Sequence, residues 1–486
     1  MMHEVFNSLL GEERKRDEEY VAHHISSQAI AGLSVCFFLL VLIPSPALSL
    51  SPDGISLLEI KSSIVSDPLG FLADWNEHDA NPCSWNGITC DPHTFRVTLS
   101  INGESLCGFA TFCPNGSLCD PFQSCPPLLW QNDDMQCSSN GFFSPERNGT
   151  VICLRNGSVI LASNPYDKHE RVPCRLTGTL SPSIRNLSSL EVISLGFNGF
   201  SGAIPKEISE IKSLKTIDLR ANFFSGHIPT EIGKITNLEV LNLAFNAFEG
   251  EIPPELSSFK SLRVFDLSGN LLSGKIPSFI GDFTALESLR LSYNQLDGII
   301  PEEIAHNCGR LQNLHLEGNF LFGRIPFTLG NCTELRSLTF SSNFLSAPIP
   351  SELGKLWKLE NLDVSRNSLG GDIPPELGNC TKLSLLILTN LIDIESCINR
   401  TMVDPVDGYT SKDKGEFNYF TGVVPDSISS LPYLKVFWAP RAGFLADFPS
   451  RWGECLNLEV LNLGENSLSG SIPMELSKCK RLIYLD

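Results

Sequence analysis

Asparagine returns at a fixed interval along most of this chain. Asn198, Asn222, Asn246, Asn270 and Asn294 follow one another at an interval of 24, Asn319 comes after 25, and Asn343 and Asn367 resume the interval of 24. Each sits in one frame, seen in Leu238-x-x-Leu241-x-Leu243-x-x-Asn246-x-Phe248-x-Gly250-x-Ile252-Pro253. Leu241 and Leu243 alternate as a short strand requires, turning inward while Asn242 and Ala244 face out, and Gly250 with Ile252-Pro253 then turns the chain away. One such unit cannot fold by itself. Its seven apolar side chains are worth roughly 10 to 20 kcal/mol on burial, whereas ordering its 24 backbone units costs roughly 24 to 48 kcal/mol. Stacking on both neighbours must supply the difference.

The frame is that of the leucine-rich repeat. It predicts an α/β leucine-rich-repeat solenoid, with a parallel sheet on the concave face and short helical or irregular segments, such as residues 254–259, on the convex face. The frame Asn belongs at a buried turn, where its amide both donates and accepts, so its role is structural. Counting in the same frame places Cys174 at a ladder position, one interval before Asn198. Downstream, Asn367 and Asn418 are 51 residues apart, one repeat plus 27, so an island over residues 391–417 interrupts the array. Ala442 then takes a ladder position, and the sheet is expected to be reshaped there. Asn466 follows, and the last frame is cut at Asp486 before its own ladder residue, as though the chain stops short of its parent's end. The expected organisation is a leader with signal peptide (1–49), an N-terminal cap (50–98), a Cys-rich insertion of open fold (99–172), an array (173–390), the island (391–417) and a truncated array (418–486).

Residues 29–43 form an apolar run followed by Pro-Ser-Pro-Ala47-Leu-Ser49, which fits a signal peptide cleaved near Ser49; the run is short for a membrane span. Residues 1–28 carry six acidic and three basic side chains where a short basic region is expected. The formal charge of −19 argues against a nucleic-acid partner. Seven Asn-x-Ser/Thr sequons, at Asn115, Asn148, Asn156, Asn186, Asn331, Asn379 and Asn399, fit a secreted glycoprotein at the cell surface.

The frame sorts the 16 cysteines. Cys308, Cys332, Cys380, Cys455 and Cys479 all occupy one frame position, the one that other repeats fill with Ile211, Ile235, Phe259, Phe283 or Leu356. They read as small buried hydrophobes, with Cys332 and Cys380 expected to be free thiols. Cys83 and Cys90, within Cys-Ser-Trp85-Asn-Gly87-Ile-Thr-Cys, are the strongest candidate disulfide. Cys107, Cys113, Cys119, Cys125, Cys137, Cys153 and Cys397 are further candidates with open connectivity. Without a short Cys-x-x-Cys, and in an oxidising compartment, no metal site is expected.

Residues 53–65 read as a capped amphipathic helix with Leu57, Leu58, Ile64 and Val65 apolar, leading through Trp75 to the Cys83–Cys90 segment. Together with the Leu-x-Gly-x-Ile-Pro repeat, this resembles the N-terminal cap and extracellular repeats of plant leucine-rich-repeat receptor-like kinases. Leu386-Ile-Leu-Thr-Asn-Leu391, Glu416-Phe-Asn-Tyr-Phe420 and Phe437-Trp-Ala-Pro-Arg-Ala-Gly443 resemble the Toadstool subgroup. That resemblance implies a parent anchored in the plasma membrane with a cytoplasmic kinase, working in developmental signalling with an extracellular peptide or small ligand and a leucine-rich-repeat co-receptor.

A catalytic constellation is not legible in the chain. Gly269-Asn-Leu-Leu-Ser-Gly-Lys275 imitates a phosphate-binding loop, but Ile276 stands where magnesium chemistry needs Ser or Thr. Asp218, Asp266 and Asp363 recur on the concave strand as a solvated face. The chain therefore reads as a non-enzyme without cofactor: a receptor ectodomain or, alternatively, a secreted inhibitor of pathogen wall-degrading enzymes. Candidate ligand contacts are Phe197, Arg220, Phe245, Tyr293, Trp438 and Arg441, aromatic and Arg side chains that face outward or rim the strand. Phe197, Phe245 and Tyr293 could instead pack on one another at the bend before the ladder Asn.

Overall fold

Leu238, Leu241 and Leu243 show how one repeat is built. In the computed structural model all three are fully buried, and the strand Val240–Asn242 lies parallel and in register between Thr216–Asp218 and Val264–Asp266. The structure describes residues 50–79, 81–92, 96–101, 175–389, 418–445 and 447–486, with three short strands at Met135–Cys137, Thr150–Arg155 and Ser158–Ser163. The leader, Cys174, the sequons at Asn115, Asn148, Asn156 and Asn399, and the island lie outside the described residues. So do Cys107, Cys113, Cys119, Cys125 and Cys397. No helix among the described residues is long and apolar enough to cross a membrane.

The result is a leucine-rich-repeat solenoid. Its main sheet has 14 strands, running from Ile88–Cys90 through one strand per repeat to Tyr484–Leu485, and only the first pair is antiparallel. A second sheet of 11 strands follows the ladder residues, as in Phe223–His227 beside Ala247–Gly250. The third side consists of short 3-10 turns such as Thr230–Lys234, which extended Pro229 introduces and Ile232 anchors in the core. Residues 254–259 resolve into one of these, Pro254–Ser258. Leu, Ile and Phe from all three sides meet in one continuous core.

The ladder carries each repeat on the next. Asn222 Nδ2 donates to the carbonyls of Leu195 in the preceding repeat (2.9 Å) and Leu219 in its own (3.0 Å), while its Oδ1 accepts the Phe200 N–H (3.0 Å). Asn418 does the same across the interruption: it donates to Val364 and Leu388 O, both at 2.7 Å, and accepts the Leu369 N–H at 2.8 Å. At the next ladder position, Ala442, the second sheet ends with Tyr419–Thr421, while the main sheet is not reshaped. Leu385–Ile387, Val436–Trp438 and Val460–Asn462 pair without a shift of register, because the Ala442 carbonyl accepts the Phe420 N–H (2.7 Å) in place of an Asn side chain.

The cap begins with the helix Pro52–Ser62, whose Ser51 side chain accepts the Gly54 N–H and whose Leu57 and Ile60 are buried. It is shorter than the expected 53–65. β-Branched Ile64 and Val65 leave it to form the strand Ile64–Ser66, antiparallel to Thr177–Thr179, and Val65 is 85% exposed. Trp75 stacks on Trp85 at 5.6 Å, and a disulfide joins Cys83 to Cys90 with Cα atoms 5.5 Å apart. The three short strands of the Cys-rich stretch form an antiparallel sheet in which Cys137 stands opposite Cys153.

One cysteine expectation is overturned. Cys308 and Cys332 are bridged, with Cα atoms 5.1 Å apart. Being one repeat apart at the same frame position, they are neighbours in the stack. Cys380, Cys455 and Cys479 are buried thiols.

Candidate ligand-binding surface

The core-averted face of the main sheet is organised by the residue four before each ladder position. In five repeats this residue is Asp or Asn, and its Oδ1 accepts the backbone N–H two residues on. Asp218 caps Arg220 (3.3 Å), Asn242 caps Ala244 (3.1 Å), Asp266 caps Ser268 (3.0 Å), Asp363 caps Ser365 (3.0 Å) and Asn462 caps Gly464 (2.9 Å). Asp266 and Asp363 are buried. These carboxylates are therefore strand-end caps and not the solvated face expected of them, because each is tied to its own turn. Burial pushes the Asp218 carboxyl above the usual range, partly offset by the nearby Arg220 guanidinium.

Apart from Ser194 in the first repeat, the cap is given up in two blocks. Arg290, His315 and Thr339 replace it on three consecutive strands, and Ile387 with Trp438 replaces it on two more, with Asp363 between the blocks. In the polar block His315 Nε2 bonds Ser337 Oγ (3.0 Å) and the Thr339 hydroxyl donates to the Glu317 carboxylate. Glu317 is fully buried where the repeats on either side place Ser292 and Ser341, and burial pushes its carboxyl up to about 7. Burial, then the Arg290 charge, holds the His315 imidazole well below its ordinary range, so it stays neutral. Among the described residues Ser288 Oγ is buried without a hydrogen-bond partner, and the Ser292 hydroxyl beside the Glu317 carboxylate partly offsets the effect of burial. Arg290, near Asp266 at 3.9 Å, stays partly exposed, as do Asn313 and Tyr293.

The apolar block is a second hydrophobic cluster, separate from the core. Leu385, Val436, Val460 and Tyr484 align across four strands, Ile387 faces Trp438, and Trp438 stacks on Tyr484 at 5.8 Å. Trp438 is only 7% exposed, contrary to its expected outward position, because large apolar neighbours on the adjoining strands enclose it.

The remaining predicted contacts divide. Phe197 is buried with the Arg220 guanidinium 5.2 Å above its ring, so these two engage each other instead of rimming an open strand. Phe245 and Tyr293 are half-buried, and their rings lie over the glycines one repeat on: a Cβ at Gly269 or Gly318 would stand 2.4 or 2.7 Å from them. They do not pack on one another, since two repeats separate them. Arg441 is exposed but held by Glu465 in a bidentate pair at 2.6 and 2.8 Å. Described sequons Asn186, Asn331 and Asn379 are exposed, each ending a 3-10 turn on the far side of the solenoid. Sequence reasoning missed Arg290, His315, Glu317 and Thr339. For Arg290, His315 and Thr339 the signal was available as a break in the run of Asp and Asn four residues before the ladder.

Two family models match: the leucine rich repeat N-terminal domain over residues 50–91, and the leucine rich repeat over residues 213–235, 237–259, 261–283, 285–307, 358–380 and 457–479. A receptor protein kinase-like protein of Arabidopsis thaliana is 40% identical over 86 residues, 16% of this chain and 11% of that protein. The leucine-rich repeat receptor-like protein kinase PXC2 of the same plant is 29% identical over 176 residues, 36% of this chain and 13% of that protein. These matches thus span little more than a tenth of the relatives' length. The crystal structure of PEPR1-AtPEP1 is similar with a TM-score of 0.60 and 27% identity, covering 89% of this chain and 51% of that one.

Proposed function

We propose that this chain is the extracellular ligand-reading part of a plant cell-surface receptor-like serine/threonine kinase. On the segments quoted above we assign it to the Toadstool-like subgroup, acting in developmental signalling with a co-receptor. The similarity of its repeats to those of receptor-like kinases supports the class, and the boundaries of its arrays follow from the ladder frame. The ligand is an extended peptide laid along the core-averted face from Arg290 to Trp438. What carries this reading is the loss of the strand-end cap on adjacent strands: a local rule kept by five repeats is broken in contiguous blocks, as happens where recognition overrides stability. Five inter-strand steps of about 4.8 Å make a strip of roughly 24 Å, the reach of about seven extended residues. At one end the partly exposed Arg290 supplies charge; at the other the strip ends on the enclosed Ile387 and Trp438 block. Arg220 and Phe197 lie beyond the strip, while Arg441 marks its rim.

A linear peptide library selected on the secreted chain tests this. Peptides enriched on the wild type should bind Arg290→Ala or His315→Ala about tenfold or more weakly, and bind Lys260→Ala, an exposed control on the far side, unchanged. Equal binding to all three variants would remove the ligand from this strip. Trp438→Ala is a poorer test, since losing the Tyr484 stack disturbs the sheet itself.

A further inference from the structure

The bridge between Cys308 and Cys332 reveals a rule of the stack. Cysteines at one frame position in successive repeats stand side by side, so a spacing of one repeat becomes a Cα separation of 5.1 Å, inside the range a disulfide spans. Two further cysteines meet that condition. Cys455 and Cys479 are one repeat apart at this same frame position, and no residue intervenes between them in the ladder. Each closes a 3-10 turn, Ser450–Glu454 and Met474–Lys478, in a nearly identical backbone conformation: φ −78° and ψ 71° for Cys455, φ −76° and ψ 75° for Cys479. Cys332 has φ −86° and ψ 66°. The Cys479 Sγ reaches the Trp452 carbonyl of the preceding repeat (3.1 Å), and that same carbonyl accepts the Cys455 N–H. The Cys479 thiol is thereby held at the turn that Cys455 closes, while the Cys455 thiol, free in this structure, reaches the Ser429 carbonyl one repeat further back (3.1 Å) and must turn toward Cys479 for the bond to close.

We propose that Cys455 and Cys479 are the site of a second inter-repeat disulfide, which cross-links the last two described repeats on the side opposite the Trp438–Tyr484 stack. Both S–H bonds break and one S–S bond forms, and the two electrons and two protons released convert a disulfide oxidant of the secretory pathway to its dithiol. Cys380 is the internal control. Its thiol makes the same kind of contact, to Leu353 O at 3.3 Å, but its ladder neighbours are Leu356 and Leu431, so it has no thiol to join. Burial pushes the Cys455 thiol up to about 12, which disfavours the attacking thiolate once the repeats have docked. Closure therefore belongs to folding, before the final repeats seal.

Non-reducing peptide mapping of the secreted full chain, alkylated in denaturant, decides the matter. Cys455 and Cys479 should be recovered in one linked species that separates on reduction, with Cys380 alkylated. In Cys479→Leu, which installs the residue found at Leu356 and Leu431, Cys455 should become alkylatable in denaturant as Cys380 is. Recovery of Cys455 and Cys479 as two separately alkylated peptides from the wild type overturns the proposal. So does a Cys455 that remains blocked in Cys479→Leu, because it would then be joined elsewhere.

Discussion

Among the described residues, the residue before a ladder position takes a left-handed backbone, with φ of 60° at Phe197, 56° at Phe245, 55° at Tyr293, 58° at Ser342 and 53° at Arg441. For a bulky side chain that conformation is held against strain of about 1 to 3 kcal/mol, and glycine avoids it at Gly269 and Gly318. Aromatic and small residues alternate here, Phe197, Ala221, Phe245, Gly269, Tyr293, Gly318, so that a ring covers the small residue one repeat on. Gly269→Ala should lower stability by about 1 to 3 kcal/mol, through a Cβ driven into the Phe245 ring at positive φ. The double variant Phe245→Ala with Gly269→Ala should lose less than the sum of the single losses, since the ring is no longer there to be struck. Denaturant unfolding of the four proteins checks this, and strict additivity would deny the contact. The positions of these rings were not legible in the sequence. A period states which residues share a place in the repeat, but the direction of a side chain at a bend depends on the sign of φ and on the size of its neighbour.

At the scale of the strand, the period was more informative about backbone than about surface. Asn222 and Leu241 act as the frame requires because their partners recur with it. Asp266 and Asp363 were misjudged because a cap two residues long leaves no mark in hydrophobic alternation. Trp438 was misjudged because its burial depends on Ile387 and Tyr484, brought beside it by register. Glu317, two residues past the strand Asn313–His315, sits where its placement has a measurable electrostatic cost. Its carboxyl sits at about 7 when folded against an ordinary 4.5, so the folded state binds the extra proton between those values. The associated stabilisation is fully present below about 4.5 and is lost as pH rises through about 7, up to about 3 kcal/mol in all. Glu317→Gln should flatten stability across that window, and an unchanged pH profile would show that Glu317 does not titrate as its burial demands.

For the whole molecule, continuity of the stack matters more than continuity of the chain. Asn367 and Asn418 are 51 residues apart in sequence, yet the Leu369 N–H meets the Asn418 amide oxygen as if one repeat separated them. The strands on either side also pair in register, Leu385 with Val436 and Ile387 with Trp438. Deleting residues 391–417 would join Asn390 to Asn418 and restore a spacing of 24 between ladder residues. The described ladder bonds of Asn418 come from residues outside the deleted segment: Val364, Leu388 and Leu369. The shortened chain should therefore fold and be secreted, with stability no lower than the parent's, because the entropy of closing the long connection is no longer opposed to folding. Far-UV circular dichroism and thermal unfolding measure this directly. Collapse of the signal, or retention of the deletion variant inside the cell, would mean that the two arrays depend on the inserted segment and that the Asn418 contacts cannot join them unaided.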